Sequence, residues 1–362
     1  MFLQHPYKYT YYFLNKTKIS AKILLMYINH IIYRTYFTIF FLNFALISLA
    51  FQLRDIYLLV KRMEIIMNVR RNSLKAWLLA ARPKTLSGAA VPVMIGLTLA
   101  TDDIGVSRIN LLPALLCVLF AFVMQIDANF VNDYFDFKKG NDDETRLGPD
   151  RACSKGWITP KAMKMALVIT TLVACLVGLP LIMYGGWMMV VVGLACVLFC
   201  FLYTTSLSYH GMGDALVLLF FGIVPVCCTY YIQTHELTLQ VVAASIACGV
   251  VIDTLLVVNN FRDIENDMNA GKKTLAVRLG HHRSLRLYFY LGYVACAIGI
   301  VYYLNGNHVA FELPIIYIIL HHNAYREMVR IGKGRGLNKV LGMTARNILV
   351  YGLLVCVGII IS

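Results

Sequence analysis

The stretch from 109 to 142, INLLPALLCVLFAFVMQIDANFVNDYFDFKKGND, decides the fold. Its first two thirds are apolar over more than 20 residues, the length that crosses roughly 30 Å of hydrocarbon. Its last third turns abruptly acidic and amidic: Asn132, Asp133, Asp136, Asn141, Asp142, with Lys138 and Lys139 among them. A second stretch repeats the pattern. An apolar run over 239–260 ends in Asn259, Asn260, Arg262, Asp263, Glu265, Asn266 and Asp267, with Lys272 and Lys273 following. Ionisable groups beside a membrane span are costly and usually functional.

Working outward, the rest of the chain fits the same solvent. Of 362 residues, 59% are hydrophobic and 14% charged, where a soluble domain carries about 25% charged. Strand alternation is absent, and backbone groups in lipid must be satisfied internally, so the spans are helices. The reading is an all-α, polytopic membrane protein. Nine spans are expected: 86–101, 109–132, 163–184, 187–205, 213–232, 239–260, 284–304, 308–322 and 339–361. They form a bundle around a central cavity open to the cytoplasmic side and the membrane.

The formal charge of +14 is not a nucleic-acid footprint. The Lys and Arg sit in loops between spans and form no detachable basic domain. Alternate loops are basic or nearly free of Lys and Arg, and the positive-inside rule puts the basic set in the cytoplasm. With nine crossings the C-terminus lies outside and both acidic clusters face one compartment. They end the second and sixth spans, which hints at an internal duplication.

The ten cysteines show no CxxC pair and lie mostly in apolar runs, where they read as small buried hydrophobes and imply no disulfides. The pairs His281-His282 and His321-His322, and Trp77, Trp157 and Trp187, read as interfacial anchors. Residues 1–66 read as an N-terminal extension without catalytic function. Its apolar stretch 36–53 leaves a tenth span open, Met63 and Met67 offer alternative starts, and no signal-peptide cleavage pattern follows. Residues 67–362 are expected to form a single domain.

The clusters carry the chemistry. Continued as a helix, Asn259, Asp263 and Asp267 stand at i, i+4, i+8, and Asn129, Asp133 and Asp136 at i, i+4, i+7, each set on one face. Asp253 lies two turns deeper, in the sector of Asn260. Two carboxylates about 4 Å apart repel by roughly 4 kcal/mol at an effective dielectric near 20. Several in one mouth therefore protonate or bind cations. Carboxylate and amide oxygens without His or Cys select Mg2+ over zinc. Mg2+ bridges to phosphate, so a diphosphate is the natural third party, with Arg146, Arg151, Lys155, Lys272 and Lys273 placed to hold its charge. A cation-coupled transporter is the rival of another class, supported only by Asp253.

These residues resemble the intramembrane aromatic prenyltransferases of the UbiA superfamily. That family carries two Asp-rich motifs at the cytoplasmic ends of the second and sixth helices of a nine-helix bundle. Arg82-Pro83-Lys84-Thr85-Leu86, the run 132–142, the run 151–159, the loop 203–214 with Phe220-Phe221-Gly222, and GKKTLAVRLG at 271–280 are similar to the branch that prenylates 1,4-dihydroxy-2-naphthoate in menaquinone synthesis. The resemblance runs from about residue 74 to the end. It departs from the wider pattern at Gly140, where other branches carry Asp, and this leaves the part played by Asp142 open.

The resemblance implies Mg2+-dependent ionisation of a polyprenyl diphosphate, attack by 1,4-dihydroxy-2-naphthoate and loss of carbon dioxide, in the inner membrane of a bacterium. It implies Asp133, Asp136, Asp263 and Asp267 as metal ligands, helped by Asn132 and Asn259, with Asp142 as a further candidate. Arg82, Lys84, Tyr203 and Asp214 are candidates for the aromatic acceptor. Another acceptor, such as hydroxybenzoate, homogentisate or haem, stays open.

Overall fold

In a computed structural model of the chain, residues 69–140 and 146–362 are described, and they form helices joined by turns and loops. The extension 1–66, its stretch 36–53, and Asp142 lie outside the described residues. Eight described helices are long and apolar enough to cross a membrane: α1 (Leu74–Ile104), α2 (Leu111–Lys139), α3 (Pro160–Gly185), α4 (Met188–Thr205), α5 (Gly213–Thr234), α6 (Leu239–Arg262), α7 (Leu275–Leu304) and, last, Leu337–Ile361. We call that last helix α9, because α8 (Ile315–Ile331) precedes it.

The expected span 308–322 falls across a break in the helix. It is divided between a short helix, His308–Glu312, and the start of α8. Pro314 sits at the break, where its missing N–H would otherwise cost a helix hydrogen bond, and α8 carries Arg326, Glu327 and Arg330 on its last turns. Nine expected crossings become, among the described residues, eight long apolar helices and this interrupted one.

Local sequence sets the helix ends. Asn110, Thr159, Thr238 and Thr274 accept hydrogen bonds from the amides of Leu112, Ala162, Val241 and Val277, the role that side-chain oxygens play at N-caps. Gly140 closes α2 at φ 74°, and Gly280 bends α7 at φ 70°, values only glycine adopts cheaply. α1 is interrupted at Arg82, which holds φ 52° before the turn Pro83–Thr85.

Exposure is inverted relative to a soluble protein. Met165, Val168, Ile169, Leu172 and Leu176 form an exposed stripe on α3, and Val191, Leu194 and Leu198 another on α4. Such faces match lipid. α6 packs against α1, α5, α7 and α9 and is the most centrally placed helix. Small residues permit close crossings. A Cβ on Gly222 would lie 2.6 Å from Gly249 Cα, and one on Gly352 would lie 2.6 Å from Val91 Cγ1. The Gly222 crossing coincides with a π-helical turn over Leu218–Ile223, a local feature common near functional sites. Helices α1 to α6 and α9 surround a cavity of about 1810 Å³.

Candidate active site

At the end of α2, the loop 146–157 folds back on the helix. Asp133 is buried at 1% exposure. Its Oδ2 accepts from the Ala152 amide at 2.8 Å and its Oδ1 from the Cys153 amide at 2.9 Å. One turn on, Asp136 faces the cavity and receives Arg151 Nη2 at 2.8 Å. Asn132 also lines the cavity, and its Oδ1 accepts from Thr204 Oγ1 at 2.6 Å. Asn129 ties the helix to α1 through Ala81 O at 2.9 Å and Thr85 Oγ1 at 3.0 Å.

At the end of α6 the regular helix stops at Arg262. Asp263 adopts φ −100°, ψ 11°, and a short helix, Ile264–Asn269, carries Asp267. The expected i, i+8 stripe is thus broken at Asp263, although the amide of Asp267 still bonds the Asp263 carbonyl at 2.7 Å. Arg262, only 4% exposed, organises the corner. Its Nε and Nη2 fork Asp263 at 2.8 and 2.6 Å, Nη2 also reaches Asn259 Oδ1 at 2.7 Å, and Nη1 reaches Asn338 Oδ1 on α9 at 2.7 Å. A planar fork matched to a carboxylate gives strong, directional bonds.

The two ends meet. Lys272 Nζ lies 3.8 Å from Asp136 Oδ1 and 4.0 Å from Asp267 Oδ1, so one ammonium spans carboxylates from helices more than a hundred residues apart in sequence. Burial pushes the Asp267 carboxyl up to about 6 against the pull of Lys272, with Asp263 and Asp136 adding to the rise. Tyr209 covers this point: Lys139 Nζ and Lys272 Nζ stand 4.0 and 5.2 Å from its ring centroid, within cation–π range. The covering loop is pinned by the Lys273 amide to Tyr209 O at 2.9 Å and by Arg278 Nη2 to His210 O at 2.7 Å. Beyond the polar end the cavity wall turns apolar, with Phe120, Val197, Phe199, Phe220, Phe221 and Leu256 among its lining residues.

The UbiA prenyltransferase family profile matches residues 89–348. This chain belongs to that family. The prenyltransferase is 37% identical over 219 residues to the 1,4-dihydroxy-2-naphthoate octaprenyltransferase of Haemophilus influenzae, covering 58% of this chain and 71% of that protein. It is 35% identical over 219 residues to the protein of the same name from Mycobacterium tuberculosis, covering 60% and 74%. Its fold is similar to that of a UbiA homologue from Archaeoglobus fulgidus bound to DMAPP and Mg2+. The TM-score is 0.56 at 14% identity, with 78% of this chain and 99% of that one covered.

The other sequence candidates separate into two groups in the prenyltransferase. Arg82, Lys84, Arg146, Arg151, Tyr203, Asn259, Asp263 and Lys272 line the cavity. Asp133 does not, and its oxygens serve the returning loop instead. Lys155 is exposed beside Asp150 at 3.3 Å, and Lys273 is exposed outside the cavity lining. Asp214 lines a small adjoining polar pocket with Tyr203, Ser208, Asn260 and Thr274. Asp253 is buried, and its Oδ1 has no hydrogen-bond partner among the described residues.

Two residues that sequence reading missed hold the site together. Arg262 resembled one more topology-setting charge, and the signal that it is not lies in its place between Asn259 and Asp263. Asn338 gave no signal, because its role depends on the approach of α9.

The oxygens of Asp136 and Asp267, with amides of Asn132, Asn259 and Asn260 lining the same cavity, make an oxygen-only donor set that fits Mg2+. Among the described residues no three Asp, Glu, His or Cys side chains gather to hold an ion by themselves. Mg2+ tolerates that, since it keeps waters and takes substrate phosphate.

Proposed function

We propose that the protein transfers a polyprenyl group from polyprenyl diphosphate to 1,4-dihydroxy-2-naphthoate with decarboxylation, giving demethylmenaquinol for menaquinone synthesis. The site faces the cytoplasm of a bacterial inner membrane. The observation that carries the chemistry is Lys272, within 4.0 Å of carboxylates from both acidic helix ends. The two curated relatives named above support the acceptor.

The apolar wall of the cavity takes the prenyl tail and keeps water from it. Asp136 and Asp267 would hold the metal. Mg2+, when bound, supplies charge neutralisation for the departing diphosphate. Lys272, Arg151 and Arg146 hold its remaining oxygens. Asp133 positions Arg151 by fixing the loop that carries it, and Arg262 fixes Asp263 and Asn259 at the opposite wall.

With these charges preorganised, the prenyl C–O bond breaks and its electron pair leaves with the diphosphate. The ring carbon that bears the carboxylate bonds to the allylic cation. The bond to the carboxylate then breaks, its electrons restore the aromatic ring, and carbon dioxide leaves.

The test is an assay of expressed membranes with dihydroxynaphthoate and labelled polyprenyl diphosphates of several lengths. Demethylmenaquinol should form with Mg2+, stop with EDTA and resume on Mg2+ addition. Product formed only from hydroxybenzoate or homogentisate, or turnover indifferent to chelation, would overturn the reading.

A further inference from the structure

Arg346 is an arginine inside a membrane-spanning helix, and the chemistry above does not use it. Asn338, Gly342 and Arg346 stand at i, i+4, i+8 on α9 and all line the cavity. A Cβ at Gly342 would meet nothing within 4 Å, so the wall is open beside Arg346. Among the described residues, the side-chain partner of Arg346 is Asn347 Oδ1, at 3.2 Å from Nη2. No described carboxylate pairs with it. An ionisable group at this depth is costly unless it serves a ligand or pathway.

Its height can be read from neighbours. Gly352 packs against Val91. Both helices run away from the acidic end, since Asn338 near the start of α9 meets Arg262 there and Thr85 meets Asn129 near the end of α2. Six residues before Gly352 is Arg346, and six before Val91 is Thr85. Arg346 is therefore level with Thr85, and hence with Asn129. Asp136 lies seven residues beyond Asn129 on α2, about 10 Å higher at 1.5 Å per residue. Arg82 and Lys84, just before Thr85 and also lining the cavity, add positive charge near the height of Arg346. The acidic cavity residues, Asp136, Asp150, Asp263 and Asp267, all belong to the two acidic ends or to the loop folded on one of them. The acidic ends, with Arg146, Arg151 and Lys272 among them, thus stand about 10 Å above a level that carries Arg346, Arg82 and Lys84 and no described carboxylate of the cavity lining.

We propose that Arg346 grips the carboxylate of the aromatic acceptor and sets its ring beneath the departing diphosphate. The inference rests on the acceptor class given under the proposed function. A guanidinium forks a carboxylate through two parallel N–H donors, which fixes the ring plane as well as its position. Arg346 is accordingly a specificity residue for acidic aromatic acceptors.

The full-length protein in phosphatidylcholine vesicles is assayed as wild type, Arg346→Gln and Arg346→Lys, varying donor and acceptor separately. The Gln variant should raise KM for dihydroxynaphthoate about 10-fold or more, the scale of a lost hydrogen bond between charged groups, with KM for the diphosphate near the wild-type value. The Lys variant should recover part of the loss. With 1,4-dihydroxynaphthalene, which has no carboxylate, wild type and Gln variant should behave alike.

An unchanged acceptor KM in both variants, or a donor KM that rises as much, overturns the inference while leaving the wild-type reaction intact. So does a response to added phosphatidylglycerol that disappears with Arg346, which would assign the cation to a lipid headgroup. Failure of the wild type to use dihydroxynaphthoate takes down the acceptor reading and the inference with it.

Discussion

Asp133 and Asp136 stand about one turn apart at the end of α2, and Asp263 and Asp267 about one turn apart beyond α6. Within each pair the two carboxylates are used differently. Asp133 accepts two backbone amides, and Asp263 is forked by Arg262. Asp136 and Asp267 both face Lys272 across the cavity. Each acidic end thus has one carboxylate that holds the local fold and one that meets its counterpart. The ends differ in what does the holding. On α2 it is a returning loop, whereas on α6 it is an arginine from the same turn, reinforced by Asn338 from α9.

The sharpest way to break this comparison is to neutralise the facing pair. Asp136→Asn or Asp267→Asn should lower prenyl transfer by about 100-fold or more, the scale of losing one electrostatic element of a reacting site, with protein level in the membrane unchanged. Near-normal rates in either variant would show that the facing pair is not the working one.

The holding pair should fail in another way. Asp133→Ala leaves the Ala152 and Cys153 amides without their acceptor, and hydrogen bonds to a charged group are worth about 1.5–3 kcal/mol each. The detergent-purified variant should melt clearly below wild type, whereas Asp136→Asn should not. Equal melting temperatures would erase the distinction.

The smallest effect concerns protons. Burial raises the Asp267 carboxyl to about 6, so below that pH the metal-free site holds a proton that Mg2+ must displace. The Mg2+ concentration for half-maximal rate should then rise by up to about 10-fold per pH unit below 6 and flatten above it. The sign for folding is opposite to that of a salt-bridged acid: a raised folded value means the metal-free protein gains stability from this group as pH falls through 6. Half-saturation by Mg2+ that does not vary between pH 5 and 7 would exclude Asp267 from the site.

Much of this was legible in the chain. Apolar runs of the right length gave the helices, and the charge alternation put both acidic ends on one side, as the contacts of Lys272 require. The functional split within each acidic pair was not legible. Asp133 and Asp136 differ by less than one helical turn, and only the return of Ala152 and Cys153 decides which of them is consumed. Periodicity also carried the α6 stripe straight through Asp263, where the backbone departs from helix. The interruption of the expected span 308–322 was visible as Pro314, but a sum of hydropathy over a window does not register a missing N–H.

Lys272 has a consequence for how the protein comes into being. Its ammonium already sits between the two opposing carboxylates, so the bundle can close with its charges compensated from within. Assembly in the bilayer then need not wait for a divalent ion, unlike small domains that unfold when stripped of zinc. On the proposed function, a diphosphate arriving with its magnesium would meet a lysine already placed between the carboxylates, ready to turn to phosphate oxygens. Loading would then be an exchange of partners within a finished structure, leaving biogenesis independent of the cell's supply of metal.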